Sequence, residues 1–421
     1  MSAVEKAPQP AAAAPRCRFC EAPLSEVFVD LGMSPLCESF LPADALNRME
    51  PFYPLLVWVC GRCFLVQLQE YVSPAEIFTE YAYFSSYSSS WLKHAKDYTD
   101  MVVRRFGLGA RSRVVEIASN DGYLLQYFVE KGVPVLGVEP AANVARAAAE
   151  RGVPTVVRFF GRETAGDLVR EHGPADLIVG NNVLAHVPDV NDFVAGLEVL
   201  LARGGTITME FPHLWRLMEE NQFDTIYHEH FSYLSFTVAR EIFAAHGLRV
   251  FDVERLPTHG GSLRIFAAHR SDPRPESDAA AALAREESAD GFRTITRYRP
   301  FAERVEETKR ALLEFLIGAR RAGRTVAAYG APGKGNTLLN YCGIRADFVD
   351  YAVDRNPYKH GRFTPGTHIP IHPPERLRET RPDYILILPW NLKDEIVAQL
   401  AYAREWGAKF VVPIPTVEVI P

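Results

Sequence analysis

The sequence predicts an α/β protein built from three successive units, and three observations lead to this prediction. Residues 114–125 pass from a β-branched run through small and polar residues into a leucine-rich segment, which is the pattern of a strand, a tight loop and a helix start. Residues 325–336 repeat that order, and two Cys-x-x-Cys pairs lie upstream of both stretches. The length of 421 residues allows two to four domains at about 150 residues each.

Composition excludes several classes of protein. The net charge is −6, from 46 basic and 52 acidic residues, which argues against a nucleic-acid-binding surface. No stretch approaches the roughly 18 consecutive apolar residues of a membrane span. Residues 1–15 are rich in Ala and Pro but have no apolar centre, so we predict a disordered leader and not a signal peptide. These features predict a cytoplasmic protein.

A small zinc-binding domain is predicted over residues 16–75, where short strands surround two cysteine knuckles. Each knuckle presents two thiolates to one side, and two knuckles complete a tetrahedral site. Four thiolates leave no position for water, so the zinc would be structural. The alternative is a redox-active or metal-free thiol cluster. The predicted ligands are Cys17, Cys20, Cys60 and Cys63.

A candidate cofactor-binding loop follows the first strand of the middle unit, which spans residues 76–270. Small residues there let the backbone approach a nucleotide-type ligand, and amides at the helix start face that ligand. The next strand ends at Glu139, 23 residues after Glu116, where a carboxylate is placed to bind both hydroxyls of an adenosine ribose. The alternative is an ordinary βαβ unit with a solvated Glu139.

A stretch rich in hydroxyl and aromatic side chains, residues 80–90, opens the middle unit. Tyr81 and Tyr83 stand among several serines, which is unlike a flexible Gly/Ser tether. We therefore predict that this loop lies over a ligand, with a plain linker as the alternative.

The end of the middle unit predicts one antiparallel strand in a mostly parallel sheet, because strands 249–256 and 262–268 are joined by a tight turn at residues 259–261. This organisation resembles the class I S-adenosylmethionine-dependent methyltransferases. Ala118 and Asn120 stand where glycines are common in that class. The resemblance implies S-adenosylmethionine as cofactor and the following binding residues: Glu116, Ala118, Asn120, Asp121, Gly122, Glu139 and Asn182.

The rest of the chain predicts a helical connector over residues 271–320 and a C-terminal Rossmann-like α/β domain over residues 321–421. The loop after its first strand is not a Walker loop, because Lys334 is followed by glycine. Small residues, amides and one cation still suit a diphosphate, so Gly330 and Lys334 are candidate substrate-binding residues. The alternative is a degenerate domain that binds nothing.

Reactive side chains are densest in one stretch near the centre of the chain. Tyr227, Glu229 and His230 crowd together there without helical periodicity. His186, after the fourth strand, and His259, at the hairpin, are expected to join them near the carboxyl ends of the strands, where α/β proteins bind ligands. The alternative is a polar loop that stabilises the sheet edge.

The whole pattern resembles the sugar C-methyltransferases of deoxysugar biosynthesis, which act on nucleotide-linked 4-keto sugars. That resemblance implies a structural zinc, a methyl donor in the middle domain, and a nucleotide-diphosphate sugar clamped by the outer domains. The sequence departs from the family at Ala118, at Cys37, where serine is usual, and at His228, where an acidic residue can stand. The substrate-binding candidates are Tyr81, Tyr83, His259, Gly330 and Lys334.

The predicted chemistry is methylation of the carbon next to a ketone through an enolate, by a monomer or a homodimer. His230 is the predicted base because its ordinary pKa near 6.5 suits proton transfer near neutrality. Tyr227, Glu229 and His186 would orient that base or hold the enolate oxygen. Two alternatives stay open: an O- or N-methyltransferase of a small metabolite, and a binding or regulatory protein with an inactive methyltransferase core.

Overall fold

The computed structural model describes residues 15–73, 75–76 and 85–421. The predicted leader lies outside the described residues apart from Pro15, and Tyr81 and Tyr83 lie outside them as well. No helix in the described ranges has both the length and the hydropathy that a membrane crossing requires.

The strands of the described residues form three sheets. The N-terminal strands are β1 (Glu26–Ser34), β2 (Tyr53–Val59) and β3 (Val66–Leu68). The middle strands are β4 (Val114–Ile117), β5 (Val135–Val138), β6 (Thr155–Val156), β7 (Ala175–Asn181), β8 (Leu201–Pro212), β9 (Ser232–Tyr233), β10 (Leu248–Leu256) and β11 (Ser262–His269). The C-terminal strands are β12 (Val326–Tyr329), β13 (Tyr351–Val353), β14 (Ile371–His372), β15 (Tyr384–Ile387), β16 (Lys409–Val412) and β17 (Glu418–Ile420).

Helices cover the faces of the larger sheets. Those of the middle unit are α1 (Ser89–Phe106), α2 (Leu125–Glu130), α3 (Ala142–Glu150), α4 (Arg162–His172), α5 (Val190–Leu200), α6 (Leu214–Glu219) and α7 (Phe236–Ala245). The connector holds α8 (Asp278–Ala289) and α9 (Pro300–Arg321). The C-terminal unit holds α10 (Gly333–Cys342), α11 (Arg376–Thr380) and α12 (Lys393–Gln399).

The middle sheet has the strand order β10-β11-β8-β7-β4-β5-β6. Strand β11 runs antiparallel to both of its neighbours, because a turn too short for a crossover joins it to β10. The other described pairings of this sheet are parallel. This is the class I methyltransferase organisation, so the predicted fold class is confirmed. The strand order reverses between β4 and β7, where open α/β sheets bind ligands.

The C-terminal sheet has the order β14-β13-β12-β15-β16-β17, and its strands are parallel except for the last. The order reverses between β12 and β15, as in a Rossmann-like domain. The loop that begins at Gly330 follows β12, and Trp390 follows β15. These two loops therefore lie at the reversal point of the C-terminal sheet, the second place in the molecule where an α/β sheet could bind a ligand.

The N-terminal sheet has the order β1-β2-β3-β9, so a strand of the middle unit completes it. Phe28 of β1 stacks on Phe301 of the connector with ring centroids 4.5 Å apart. One buried apolar cluster runs from β1 and β2 through the connector into the C-terminal sheet. The stretch around Tyr227 and His230 is thus built into the contact between the three units.

Candidate active site

The cysteine knuckles form a metal centre of the predicted composition. The four Sγ atoms all lie within 4.8 Å of one another. The Sγ atoms of Cys17 and Cys63 are 3.5 Å apart, as are those of Cys20 and Cys60. The Gln67 side chain donates a hydrogen bond to the Cys17 Sγ at 3.1 Å, in the manner of groups that orient metal ligands. Four thiolates at this separation fit one tetrahedral zinc.

The loop after β4 has the backbone of a glycine-rich loop although only one of its key residues is glycine. Ala118, Asn120 and Gly122 have φ values of 57°, 48° and 75°, which place all three in the left-handed region. A non-glycine residue there costs roughly 1–2 kcal/mol, asparagine less than alanine. A Cβ on Gly122 would lie 3.0 Å from Val153, so this position also needs its small size. The strain is retained in the loop that faces the crevice.

Buried carboxylates surround this loop. Glu139 accepts hydrogen bonds from the backbone amides of Asn120 (3.0 Å) and Ala141 (2.9 Å). Burial raises the pKa of Glu139, and those two hydrogen bonds oppose the rise. Glu116 is fully buried beneath the loop, and burial raises its pKa well above the ordinary value. Asp121 forms an ion pair with Arg151 at 2.7 Å.

The hydroxyl-rich stretch reaches this loop at its described end. The Ser85 amide donates to the Asn120 side chain at 2.9 Å, and the Ser86 hydroxyl donates to the Asp121 carboxylate. The Ser88 hydroxyl then caps α1 by accepting from the Trp91 amide at 3.3 Å. The cap fixes the start of α1 beside the crevice.

Helix α1 lines the crevice with two aromatic rings. Trp91 stacks on His94 at 4.9 Å and contacts His259 edge-on at 5.3 Å. The Asn182 side chain, after β7, donates to the His259 Nε2 at 3.2 Å. His259 keeps an exposed edge, and crowding by the surrounding protein, together with the charge of Lys334, lowers its pKa below the ordinary value. The predicted residues Asn182 and His259 therefore meet at the reversal point of the middle sheet.

A buried network of charged side chains connects α1 to strands β8 and β11. Glu210, at the end of β8, accepts from His94 at 2.9 Å, from Thr258 at 2.9 Å and from Arg264 at 2.8 Å. Burial alone would raise the pKa of Glu210, but the His94 hydrogen bond and the Arg264 charge hold it below the ordinary value. The network fixes the hairpin that carries His259.

The predicted catalytic rings are brought together. The His230 ring lies 4.0 Å from the Tyr227 ring and 4.6 Å from the His186 ring, measured between centroids. The His230 Nδ1–H donates to the Thr225 carbonyl oxygen at 2.8 Å, since a carbonyl only accepts. In neutral His230 the Nε2 atom is therefore the proton acceptor.

Burial keeps these two imidazoles neutral. Burial, and then the neighbouring His186, lowers the pKa of His230 well below 6.5. Burial likewise lowers the pKa of His186 to about 4. Both rings are thus uncharged at pH 7, which is the state a base requires.

The Glu229 side chain faces the N-terminal unit, unlike the His230 side chain next to it in the sequence. Its Oε1 atom lies 3.9 Å from the Cys37 Sγ in the N-terminal unit. Burial, and then the charge of Glu38, raises the pKa of Glu229 to about 8. A pKa near 8 favours the neutral carboxyl of Glu229 at pH 7, and in that form the group can donate a hydrogen bond.

Lys334 of the C-terminal unit lies near His230 and His259. Its ammonium lies 4.5 Å from the centre of the Trp390 ring and donates to Asn391 at 2.7 Å. Its charge lowers the pKa of both His230 and His259. Asp224 accepts from the Trp390 indole at 2.7 Å, which ties the C-terminal unit to the segment that leads to Tyr227 and His230.

The amides of the loop that begins at Gly330 already have partners. The Ala331 amide donates to Asp354 at 2.7 Å, and the Gly333 amide donates to Glu38 of the N-terminal unit. The Lys359 ammonium donates to the Ala331 carbonyl at 2.8 Å. Two carboxylates thus stand where the sequence predicts a diphosphate.

Known families match the chain along most of its length. A zinc binding domain family matches residues 17–78, a methyltransferase domain family matches residues 91–253, and the C-methyltransferase C-terminal domain family matches residues 257–415. The curated C-methyltransferase NovU of Streptomyces niveus is 38% identical over 404 residues, covering 96% of each chain. The chain belongs to the C-methyltransferase family.

Solved methyltransferase structures match part of this C-methyltransferase. Magnesium protoporphyrin IX methyltransferase from Synechocystis PCC 6803 covers 41% of the chain and 79% of its own, at 15% identity and a TM-score of 0.31. An S-adenosylmethionine-dependent methyltransferase from Clostridium acetobutylicum covers 42% of the chain and 92% of its own, at 11% identity and a TM-score of 0.35.

The fold and the family confirm the predicted S-adenosylmethionine-dependent methyltransferase and the zinc-binding region. C-methyltransferase membership also decides against the O- or N-methyltransferase and the inactive-core alternatives. The residues present fit S-adenosylmethionine. The left-handed loop after β4 lets the protein backbone come close to a ligand, and Glu139 directly follows β5. S-adenosylmethionine supplies an electrophilic methyl group when it is bound.

Sequence reasoning missed several residues of this C-methyltransferase site. Trp91 and His94 lie one helical turn apart on α1, a spacing that could have placed both on one face. Glu210 lies near the carboxyl end of β8, and this position could have marked it as a site residue. Arg264 and Glu38 gave no such signal, because each contacts a residue distant in the chain.

We predict that Glu139→Ala weakens S-adenosylmethionine binding by about 1.5–3 kcal/mol, the value of hydrogen bonds to a charged group. Isothermal titration calorimetry measures this directly. Glu150→Ala, which removes an exposed carboxylate at the end of α3, is the control and should bind normally. An unchanged dissociation constant for Glu139→Ala would place the adenosine elsewhere.

Proposed function

We propose that this enzyme methylates the carbon next to the ketone of a nucleotide-linked 4-keto deoxysugar through an enolate. One observation carries the proposal. His230 is a neutral imidazole whose Nδ1–H is bound to Thr225, and its ring contacts those of His186 and Tyr227. A carbon acid needs such a base together with stabilisation of the enolate oxygen.

The proposed reaction has two steps. The C–H bond next to the ketone breaks, its proton goes to the His230 Nε2, and its electron pair becomes the enolate. The enolate carbon then forms a bond to the methyl group as the methyl–sulfur bond of the donor breaks, which leaves S-adenosylhomocysteine. Tyr227 and His186, in contact with the His230 ring, would hold the base in place or donate to the enolate oxygen.

Charge around the cleft supports an anionic transition state. Lys334 is close enough to lower the pKa of His230, so its ammonium would also stabilise negative charge that develops beside that ring. We propose Lys334 and His259 as substrate contacts. The loop amides near Gly330 are less suited to a diphosphate than predicted, because Glu38 and Asp354 accept their hydrogen bonds.

We propose that neutral Glu229 donates a hydrogen bond to the substrate, and this proposal predicts a pH dependence of the rate. Its pKa is raised from 4.5 to about 8, so the donor proton is present at pH 7 and is lost as the pH rises through 8. The rate should fall on that alkaline limb. Glu229→Gln keeps an N–H donor and does not titrate, so it should remove the limb. A wild-type limb that persists in Glu229→Gln would assign it to another group.

A panel of nucleotide-linked sugars tests the proposed reaction. Each 4-keto sugar is incubated with enzyme and S-adenosylmethionine, and mass spectrometry detects a gained methyl group. The matched controls are the same sugars reduced to 4-hydroxy compounds, which have no acidic α-carbon. Methylation of ketone and reduced sugar alike would contradict the enolate route.

The predicted cytoplasmic location and the monomeric or homodimeric state stay predictions, as do the domain boundaries.

A further inference from the structure

The side chain of Arg18 extends from the first cysteine knuckle to the segments that carry His186 and His230. Arg18 lies between the ligands Cys17 and Cys20 of the first knuckle. Its Nη1 donates to the Pro188 carbonyl oxygen at 2.5 Å, and its Nη2 donates to the Leu68 carbonyl oxygen. Its guanidinium also lies 5.4 Å from the centre of the Phe231 ring. One side chain thus contacts three segments that are distant in the sequence.

Two of those segments carry the catalytic histidines. Pro188 lies two residues after His186, and Phe231 directly follows His230. The same segments are joined by backbone hydrogen bonds: the Phe231 amide donates to the Ala185 carbonyl at 2.7 Å, and Leu68 donates to Phe231 at 3.0 Å. The guanidinium therefore lies against the junction that sets the distance between the two imidazoles.

The backbone of Arg18 is held by hydrogen bonds on both sides. The Arg18 amide donates to the Gln67 side chain at 2.8 Å, and Gln67 also donates to the Cys17 Sγ. From the other side, the Asn191 side chain donates to the carbonyl oxygens of Arg18 (3.1 Å) and Phe19 (3.0 Å). A metal bound by the knuckle would fix the same backbone through Cys17 and Cys20. The position of the guanidinium is therefore tied to the zinc centre.

We propose that Arg18 is a positioning residue through which the zinc centre holds His186 and His230 in their catalytic contact. Hydrogen bonds from a guanidinium to carbonyl groups are charge-assisted and directional, so they fix the Pro188 and Leu68 backbones together. Misplacement of a catalytic group by about 1 Å can cost 10²-fold in rate. The zinc domain then contributes to turnover as well as to folding. The inference rests on the proposed roles of His186 and His230.

Arg18→Met tests the proposal, with Arg16→Met as the matched control. Methionine keeps an unbranched apolar side chain but donates no hydrogen bond. Arg16 lies on the other side of Cys17, is exposed, and donates only locally, to the Glu21 carbonyl at 2.9 Å. Both variants should contain one zinc per chain by metal analysis and should bind S-adenosylmethionine normally.

The first readout needs no substrate. In protein labelled with ¹⁵N-histidine, the ring resonances assigned by His186→Gln and His230→Gln should shift in Arg18→Met and stay in place in Arg16→Met. The second readout is turnover of a 4-keto sugar, where kcat should fall at least tenfold in Arg18→Met while the KM for S-adenosylmethionine is unchanged. Arg18→Lys, which keeps one charged donor, should recover part of the loss and serves if the methionine variant does not fold.

Several results would overturn the proposal. Unshifted histidine resonances in Arg18→Met would do so, as would loss of zinc in step with the loss of activity in both Arg18 variants, since Arg18 would then act only in the fold of the knuckle. An equal effect of Arg16→Met would also contradict it. Failure of the proposed function is distinguishable, because it would show as full activity of His230→Ala, whereas the resonance shifts do not depend on the reaction.

Discussion

His230→Ala is expected to lower the rate of methyl transfer by about 10²–10⁴, the contribution of a general base. In the proposed reaction the substrate proton goes to the Nε2 atom of His230. Binding of S-adenosylmethionine should be unchanged, because its proposed contacts lie on the loop after β4 and on Glu139. The measurement is single-turnover methylation together with calorimetry of the donor.

His228→Gln is the matched control for this prediction. His228 lies two residues before His230 but faces the N-terminal unit, where its Nε2 is 3.2 Å from the Pro54 carbonyl oxygen and its ring meets Tyr53 edge-on. Glutamine keeps a donor for Pro54, so the rate should stay within tenfold of wild type. A loss below tenfold in His230→Ala would clear His230 of the role of base, and Tyr227→Phe would be the next variant to test.

Cys60→Ser is expected to give insoluble or unfolded protein in place of a soluble enzyme with slower turnover. Zinc bound by four thiolates contributes roughly 10–16 kcal/mol of apparent binding free energy in small zinc domains, which exceeds the stability of most domains. The buried residues of the N-terminal unit belong to apolar clusters that it shares with the other units, and β9 of the middle unit pairs with β3. Loss of the metal should therefore also disturb the segment around His230, which directly precedes β9.

Metal analysis of the wild-type protein should find one zinc per chain. Cys342→Ser is the control, because Cys342 is a buried thiol at the end of α10 in the C-terminal unit, outside the four-cysteine group. That variant should stay soluble and keep its zinc. Soluble, folded Cys60→Ser, or wild-type protein without zinc and with four free thiols, would refute a structural metal.

Local sequence patterns predicted the parts of the site that depend on neighbouring residues. The cysteine spacing predicted the metal ligands, and the strand–loop–helix pattern predicted the loop at Ala118 and Asn120. The left-handed angles there show why alanine and asparagine can stand for glycine: the backbone is kept and the strain is tolerated. The crowding of Tyr227 and His230 likewise predicted rings that are in contact.

Contacts between distant segments could not be predicted in the same way. Glu38 reaches the Gly333 amide, and Arg18 reaches Pro188, only because three units pack on one another. No periodicity or spacing records such a contact. The same reason explains Glu229, which adjoins His230 in the sequence but faces Cys37 in the structure, where burial raises its pKa.

Exchange of the substrate α-hydrogen in deuterated water tests the enolate most directly. Wild-type enzyme is given a nucleotide-linked 4-keto sugar and S-adenosylhomocysteine, which fills the donor pocket but has no methyl group to transfer. We expect that deuterium enters the carbon next to the ketone and that His230→Ala abolishes this exchange. Methylation of the same sugar by wild-type enzyme with no exchange under these conditions would contradict it, because proton removal would then require the methyl donor.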